Sequence, residues 1–251
     1  MTRLAILQAR MTSSRLPGKV MLEINHRPMI YWQIQRILQA KSIDKLIVAT
    51  SDHLSDNILA DYLNSEGVLV FRGSLSDVHS RFLAIVNSNP EADTFLRLTA
   101  DCPLVMPHLI SDMLTEFDEG GYDYFSNCFN PTYPDGLDIE IFSRESFLEM
   151  SNCDLSKLEK EHVTLKYRSL VDLFRVGEKL HFENLSNMRW TVDYEQDYDF
   201  VKSIFKNFQG LESTFSLEDV LELLRSKPEL NTQLPGTLRN IALQDGEPDF
   251  T

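Results

Sequence analysis

Residues 3–19 read RLAILQARMTSSRLPGK. Leu4, Ala5, Ile6 and Leu7 are apolar without alternation, the pattern of a strand buried on both faces, and a strand is expected over residues 3–8. Directly after it come Arg10, Arg15 and Lys19, the hydroxyls of Thr12, Ser13 and Ser14, and a Pro17-Gly18 pair. Pro-Gly forces a turn and lets backbone approach a ligand closely. The loop is expected to be exposed, and its like charges repel one another until an anion joins them. Open parallel sheets bind ligands beyond the carboxyl ends of their strands, so a basic, hydroxyl-rich loop in this place predicts a phosphate site. Neither GxxxxGK[ST] nor GxGxxG occurs, so this is neither a Walker P-loop nor a dinucleotide fingerprint.

Strand and helix patterns alternate outward from that stretch. Pro28 opens a helix with apolar Ile30, Ile34, Ile37 and Leu38. Residues 45–50 (KLIVAT) form a second strand. Ser55 and Asp56 cap a helix carrying Ile58, Leu59, Tyr62 and Leu63, which Gly67 stops. Residues 68–71 are a third strand. Ser74 and Asp77 resemble a capping box before Val78, Phe82, Ile85 and Val86. Residues 94–98 are a fourth strand, and Pro107 opens a helix through Ile110, Met113, Leu114 and Phe117. This order predicts an α/β fold with a mostly parallel sheet and helices on both faces. The loops at 8–19 and 99–107 then share one rim. The second half is less regular: strands at 122–126, 137–142 and 188–192, and helices at 144–150, 157–170 and 196–208. A further helix, capped by Ser216, runs through Leu224. A single domain is expected over residues 1–234, with a loosely ordered tail at 235–251.

Composition narrows the function. The 251 residues carry a formal net charge of −14, with 43% hydrophobic and 25% charged residues. An acidic chain with no extended basic face excludes nucleic acid as the partner, whereas a local basic cluster still accommodates a small anion. No apolar run is long enough to span a bilayer, and Gln8 and Arg10 interrupt any leader-like stretch, so a cytoplasmic protein is expected. Cys102, Cys128 and Cys153 form no CxxC pair and are expected to be buried free thiols.

Four further stretches carry candidate chemistry. In RLTADCPL (97–104), Asp101 lies just past a strand and suits Mg2+, which takes one or two protein carboxylates; a turn cap explains it as readily. In RWTVDYEQD (189–197), Asp193 ends a predicted strand and is a second such carboxylate. YPDGLDIE (133–140) places Asp138 and Glu140 on one face of a strand, available to sugar hydroxyls or simply solvated. EKEHVT (159–164) holds His162, which has no Ser or Cys partner to suggest nucleophilic catalysis.

QARMTSSRLPGK, VATSD, FRGSLSDV, RLTADCPL, PDGLDIE, EHVT and RWTVD, in that order over residues 3–226, resemble the cytidylyltransferase-like family. That family includes the spore coat polysaccharide biosynthesis protein F group and is related to the CMP-Kdo and CMP-sialic acid synthetases. The resemblance implies a three-layer α/β/α nucleotidyltransferase fold, Rossmann-like. It implies that Ala9, Arg10, Ser13, Ser14, Lys19, Arg72 and Asp77 bind the nucleoside triphosphate, with Arg10, Arg15 and Lys19 catalytic. Asp101 and Asp193 would hold Mg2+; Asn127, Asp138, Glu140 and His162 would hold a sugar acceptor. The implied reaction joins CTP to a 2-keto sugar acid for a surface polysaccharide and releases pyrophosphate. A homodimer formed through residues 122–190 is implied too. The segment that selects base and sugar in the synthetases is not matched, which leaves GTP and other sugars open. A glycosyltransferase is the alternative; its DxD motif is absent after any predicted parallel strand.

Overall fold

The computed structural model describes residues 1–231, so the expected tail at 235–251 lies outside the described residues. Strand β1 (Thr2–Gln8) forms as its unbroken apolar run predicts. Leu4 and Ile6 point into one helical layer, Ala5 and Leu7 into the other, and all four are fully buried. A hairpin missed in the sequence follows: β2 (Glu23–Ile24) and β3 (Arg27–Pro28) join through Asn25 and His26, both at positive φ. Next come α1 (Met29–Gln39), β4 (Lys45–Ser51), α2 (Asn57–Ser65), β5 (Leu69–Gly73), α3 (Val78–Ser88), β6 (Ala92–Thr99) and α4 (Pro107–Gly120). The second half holds β7 (Tyr124–Ser126), β8 (Glu140–Ser143), α5 (Arg144–Met150), α6 (Lys157–Glu161), β9 (Val176–Glu178), α7 (Glu195–Asn207) and α8 (Leu217–Ser226).

The seven-stranded sheet has the order β5-β4-β1-β6-β8-β7-β9. It is parallel except for β8, which runs antiparallel to both β6 and β7. Helices α1, α2, α4, α7 and α8 cover one face and α3 and α5 the other, giving three layers. The chain adds β4 and β5 on one side of β1 and then β6 on the other. Loops leaving β1 and β6 therefore diverge, and a crevice opens at their carboxyl ends. Among the described residues no helix is long and apolar enough to cross a membrane. All three cysteines are free; Cys102 and Cys128 are buried and Cys153 half-buried.

Several local expectations change. Asp56 is not a cap but a buried anchor: it accepts bonds from the Met11 amide (2.7 Å), the Ser51 amide and the Thr50 hydroxyl (both 3.1 Å). Ser74 and Asp77 form only half of the expected capping box: Ser74 Oγ accepts from the Asp77 amide at 3.1 Å, and Asp77 is itself the cap of α3, accepting from the Ser80 amide. Leu38 and Ile58 face solvent. The helix expected over 157–170 ends at Glu161, because Val163 sits at φ 45, where a β-branched side chain is strained; residues 165–169 form a 3-10 turn. Residues 188–192 form no strand. They run extended beside 133–136 with one bridge, Asp135 to Arg189. Asp138 precedes β8 instead of lying in it.

Arg36 ties the helical layer together. Fully buried in α1, it donates to the carbonyls of Val105, Glu212 and Phe215, each at 2.8 Å, and lies over the Phe215 ring. Burial pushes its guanidinium down to about 9. Arg36→Met keeps volume but strands three buried carbonyls, and is expected to cost about 3 kcal/mol or more of stability in urea unfolding. A loss under about 1 kcal/mol would show that water replaces the guanidinium.

Candidate active site

The crevice predicted by the strand order is a cavity of about 270 Å³. The phosphate-type loop forms its first wall. Gly18, at φ 72, donates its amide to the Met11 carbonyl at 2.8 Å, which closes residues 11–18 into a compact loop. A Cβ at Gly18 would be strained by that φ. The turn then starts a short 3-10 segment, Lys19–Met21, and carries Lys19 inward. The expectation of an exposed loop fails at this residue: Lys19 is only 8% exposed.

The Lys19 ammonium donates to Asp193 Oδ1 at 3.0 Å, to Asp101 Oδ2 at 3.2 Å and to the Val192 carbonyl at 2.7 Å. Burial alone would push its pKa down; the two carboxylates outweigh burial and the net shift is upward. Burial likewise works to raise Asp193, but Lys19 and Arg15, whose Nη2 lies 2.9 Å from Oδ1, hold it well below the usual carboxylate range. Asp101 is lowered too, with Lys19 overcoming its burial. Asp101 and Asp193, read as strand ends far apart in sequence, thus meet on one ammonium.

A second buried pair forms the floor. Arg97 and Glu140 stand directly opposite in the β6–β8 register and form an ion pair. Glu140 also accepts from the Tyr124 hydroxyl at 2.6 Å and from the Thr164 hydroxyl. Burial would raise Glu140, but Arg97, Thr164 and Tyr124 bring it below its ordinary value. Its carboxylate lines the cavity while held by Arg97, Tyr124 and Thr164, so it is fixed in place as part of the wall. Asn127 does not reach the cavity. It is buried, donates to the Leu137 carbonyl (2.7 Å) and accepts from the Ile139 amide (2.8 Å), holding that loop shut.

Ala9, Arg10, Ser13, Arg15, Lys19, Asp101, Asp138, His162 and Asp193 all line the cavity. Ser14, Arg72 and Asp77 do not: Ser14 is exposed, Arg72 donates to the carbonyls of Ser51 and His53, and Asp77 caps α3. Sequence reading missed Arg97, Arg168 and Arg189. The legible signal for Arg97 was a lone cation inside the apolar run TFLRLT, which demands a buried partner. Around the cavity, Arg10, Arg15, Lys19, Arg97, Arg168 and Arg189 face Asp101, Asp135, Asp138, Glu140, Glu161 and Asp193. Gly136 brings the 133–138 loop against the 189–193 segment; at φ 106 it leaves no room for a Cβ, which would lie 2.4 Å from the Thr191 amide.

Burial and the nearby Arg97 push His162 down to about 4, with Glu140 partly opposing. His162 is therefore neutral at pH 7. Between its unfolded value near 6.5 and about 4, the unfolded chain binds a proton that the folded chain refuses, so stability falls as pH drops through that window. His162→Gln is expected to flatten this fall by up to about 1.4 kcal/mol per pH unit, read from urea midpoints at pH 7 and 4.5. An unchanged slope would assign the acid sensitivity to other groups.

Comparison with known proteins accords with this geometry. Residues 4–202 match the family described as Cytidylyltransferase. The chain is 32% identical over 239 residues to the spore coat polysaccharide biosynthesis protein SpsF of Bacillus subtilis, covering 92% of this chain and 97% of that protein. It is 28% identical over 131 residues to a 3-deoxy-manno-octulosonate cytidylyltransferase of Synechococcus elongatus, covering 52% of this chain and 53% of the relative. Among solved structures, a cytidylyltransferase from Leptospira borgpetersenii superposes with a TM-score of 0.87 at 28% identity, covering 93% of this chain and 98% of its own. A CMP:2-keto-3-deoxy-manno-octonic acid synthetase complexed with CTP shares the fold, with a TM-score of 0.63 at 19% identity over 82% of this chain and 99% of its own. The chain belongs to the cytidylyltransferase family and is a nucleotidyltransferase.

Proposed function

We propose that this enzyme transfers the cytidylyl group of CTP to a hydroxyl of a 2-keto sugar acid, with Mg2+, releasing pyrophosphate and activating the sugar for a surface polysaccharide. The observation that carries this reading is the Lys19 ammonium held between Asp101 and Asp193, at the end of a loop that also brings Arg10 and Arg15 to the cavity. The names of the B. subtilis and S. elongatus relatives, a polysaccharide protein and a sugar-acid cytidylyltransferase, support the substrate class.

Phosphoryl transfer of this kind depends on positioning and charge neutralisation more than on covalent help. Arg10, Arg15 and Lys19 neutralise the triphosphate, and Lys19 shifts from carboxylates to phosphate oxygens. Asp101 and Asp193 then present hard oxygens to a common point. That donor set fits Mg2+, which takes one or two protein carboxylates and would take its remaining ligands from phosphate and water. When bound, the ion would supply Lewis-acid stabilisation of the phosphate oxygens. On the acceptor side, Asp138 and neutral His162 face the sugar hydroxyls. Arg168, anchored on the Cys128 carbonyl at 3.0 Å and over the Phe129 ring, suits the sugar carboxylate. Leu173, Leu180 and Phe182, exposed on either side of edge strand β9, support pairing of two copies through residues 122–190.

The direct test is pyrophosphate release from CTP or GTP with Mg2+ and a panel of 2-keto sugar acids; no release from any combination would end this reading. Lys19→Ala is expected to lower kcat by about two to three orders of magnitude. Because Lys19 is buried between two carboxylates, the variant should also melt earlier, and unchanged turnover in a folded variant would remove Lys19 from the mechanism. Asp101→Asn is expected to raise the Mg2+ concentration for half-maximal rate by about tenfold or more. An unaltered metal titration would place the ion elsewhere.

A further inference from the structure

Arg189 lies in the segment before α7 and lines the cavity. Its guanidinium is shared among three carboxylates from three segments. Nε donates to Asp197 Oδ1 at 3.1 Å, Nη1 to Asp135 Oδ2 at 3.1 Å, and Nη2 to Asp193 Oδ2 at 2.7 Å and Asp197 Oδ2 at 3.2 Å. Asp197 is held in turn: its Oδ2 also accepts from the backbone amides of Asp193 (2.9 Å) and Tyr194 (3.0 Å). Asp135 is fixed through its backbone, donating to the Met188 carbonyl at 2.9 Å and accepting from the Trp190 amide at 2.6 Å. The Arg189 side chain is only 8% exposed.

Asp193 therefore has two distinct sides. Its Oδ1 faces Lys19 and Arg15 of the phosphate loop, and its Oδ2 faces Arg189. A triphosphate competes with Asp193 for the loop cations. It cannot draw off Arg189, which is clamped by Asp135 and Asp197. We infer that Arg189 is a positioning residue: it is the counter-ion that stays, holding Asp193 by Oδ2 so that Oδ1 remains turned to the incoming nucleotide and its cation. The same fork links Asp193 to the 133–138 loop on the acceptor side, so both halves of the cavity are registered on one planar group. A lysine cannot reproduce this, because an ammonium lacks the rigid fork that meets several carboxylates at fixed angles.

This role rests on the proposed function, and the test separates the two. CTP is titrated calorimetrically into the full chain, once with EDTA and once with Mg2+, for the wild type, Arg189→Gln and Arg189→Lys. In EDTA both variants are expected to bind CTP within about threefold of wild type, since Arg10, Arg15 and Lys19 are untouched. The gain in affinity on adding Mg2+ should fall by about tenfold or more in both, as for loss of an outer-shell partner. An undiminished Mg2+ gain in either folded variant overturns the role, as does an equal loss with and without Mg2+, which marks a purely structural residue. Should Arg189→Gln not fold, Arg189→Lys keeps a charge among the carboxylates and gives the same comparison. Wild-type protein that binds no CTP under either condition ends the functional reading and this role with it.

Discussion

A buried ammonium must have counter-charge within reach, since desolvating it alone costs several kcal/mol. Lys19 meets that demand with carboxylates from two remote segments, and the demand fixes where three stretches of chain run: the loop after β1, the turn after β6, and the segment before α7. The sheet makes the meeting geometrically possible. Because β1 is flanked by β4 and β6, the loops leaving β1 and β6 open away from each other, and Lys19 spans the gap. Asp56 does for the loop's backbone what Asp101 and Asp193 do for its lysine, gripping the Met11 amide from the turn just before α2.

The Arg97–Glu140 pair solves a different problem. β8 is the one reversed strand, and it joins the parallel half of the sheet to the irregular half. Cross-strand neighbours of opposite charge fix register there, and Tyr124 and Thr164 satisfy the remaining carboxylate valence. Replacing one partner would leave a lone buried charge, whereas an apolar pair of similar volume would not. The segment carrying Thr164 is itself tightly bent: Val163 keeps its side chain fully buried at the expense of a left-handed backbone, and that bend delivers His162 to the cavity.

What the sequence disclosed follows from these constraints. Strands β1, β4 and β6 were readable because strands buried on both faces must be apolar throughout. Ser216 was readable as the cap of α8; the structure adds that Asp219 answers it, completing a capping box. The basic loop was readable from charge, and Asp101 and Asp193 were paired as two acids at predicted strand ends, a pairing the resemblance also implies. Residues 188–192 were mistaken for a strand because Trp190 and Val192 are buried at strand spacing, although the burial comes from core packing and not from a ladder. The break at Val163 was invisible because helical periodicity continues across it. Asn127 was placed on the ligand because side-chain polarity does not reveal whether a carbonyl and an amide have already claimed it. Arg189 went unnoticed for the converse reason: nothing in RWTVD shows that its partners lie 4, 8 and 54 residues away.

The cavity walls carry as many carboxylates as cations. A purely cationic pocket would hold a polyphosphate tightly and keep it. Here the groups proposed to receive the departing pyrophosphate each have an internal rival: Arg10 has Glu161, Arg15 has Asp193, and Lys19 has Asp101 and Asp193. Every phosphate contact that loosens is replaced at once by an ion pair already within reach. On the proposed chemistry this lowers ground-state affinity and hastens departure, so an acidic lining around a basic loop favours rapid recycling over retention.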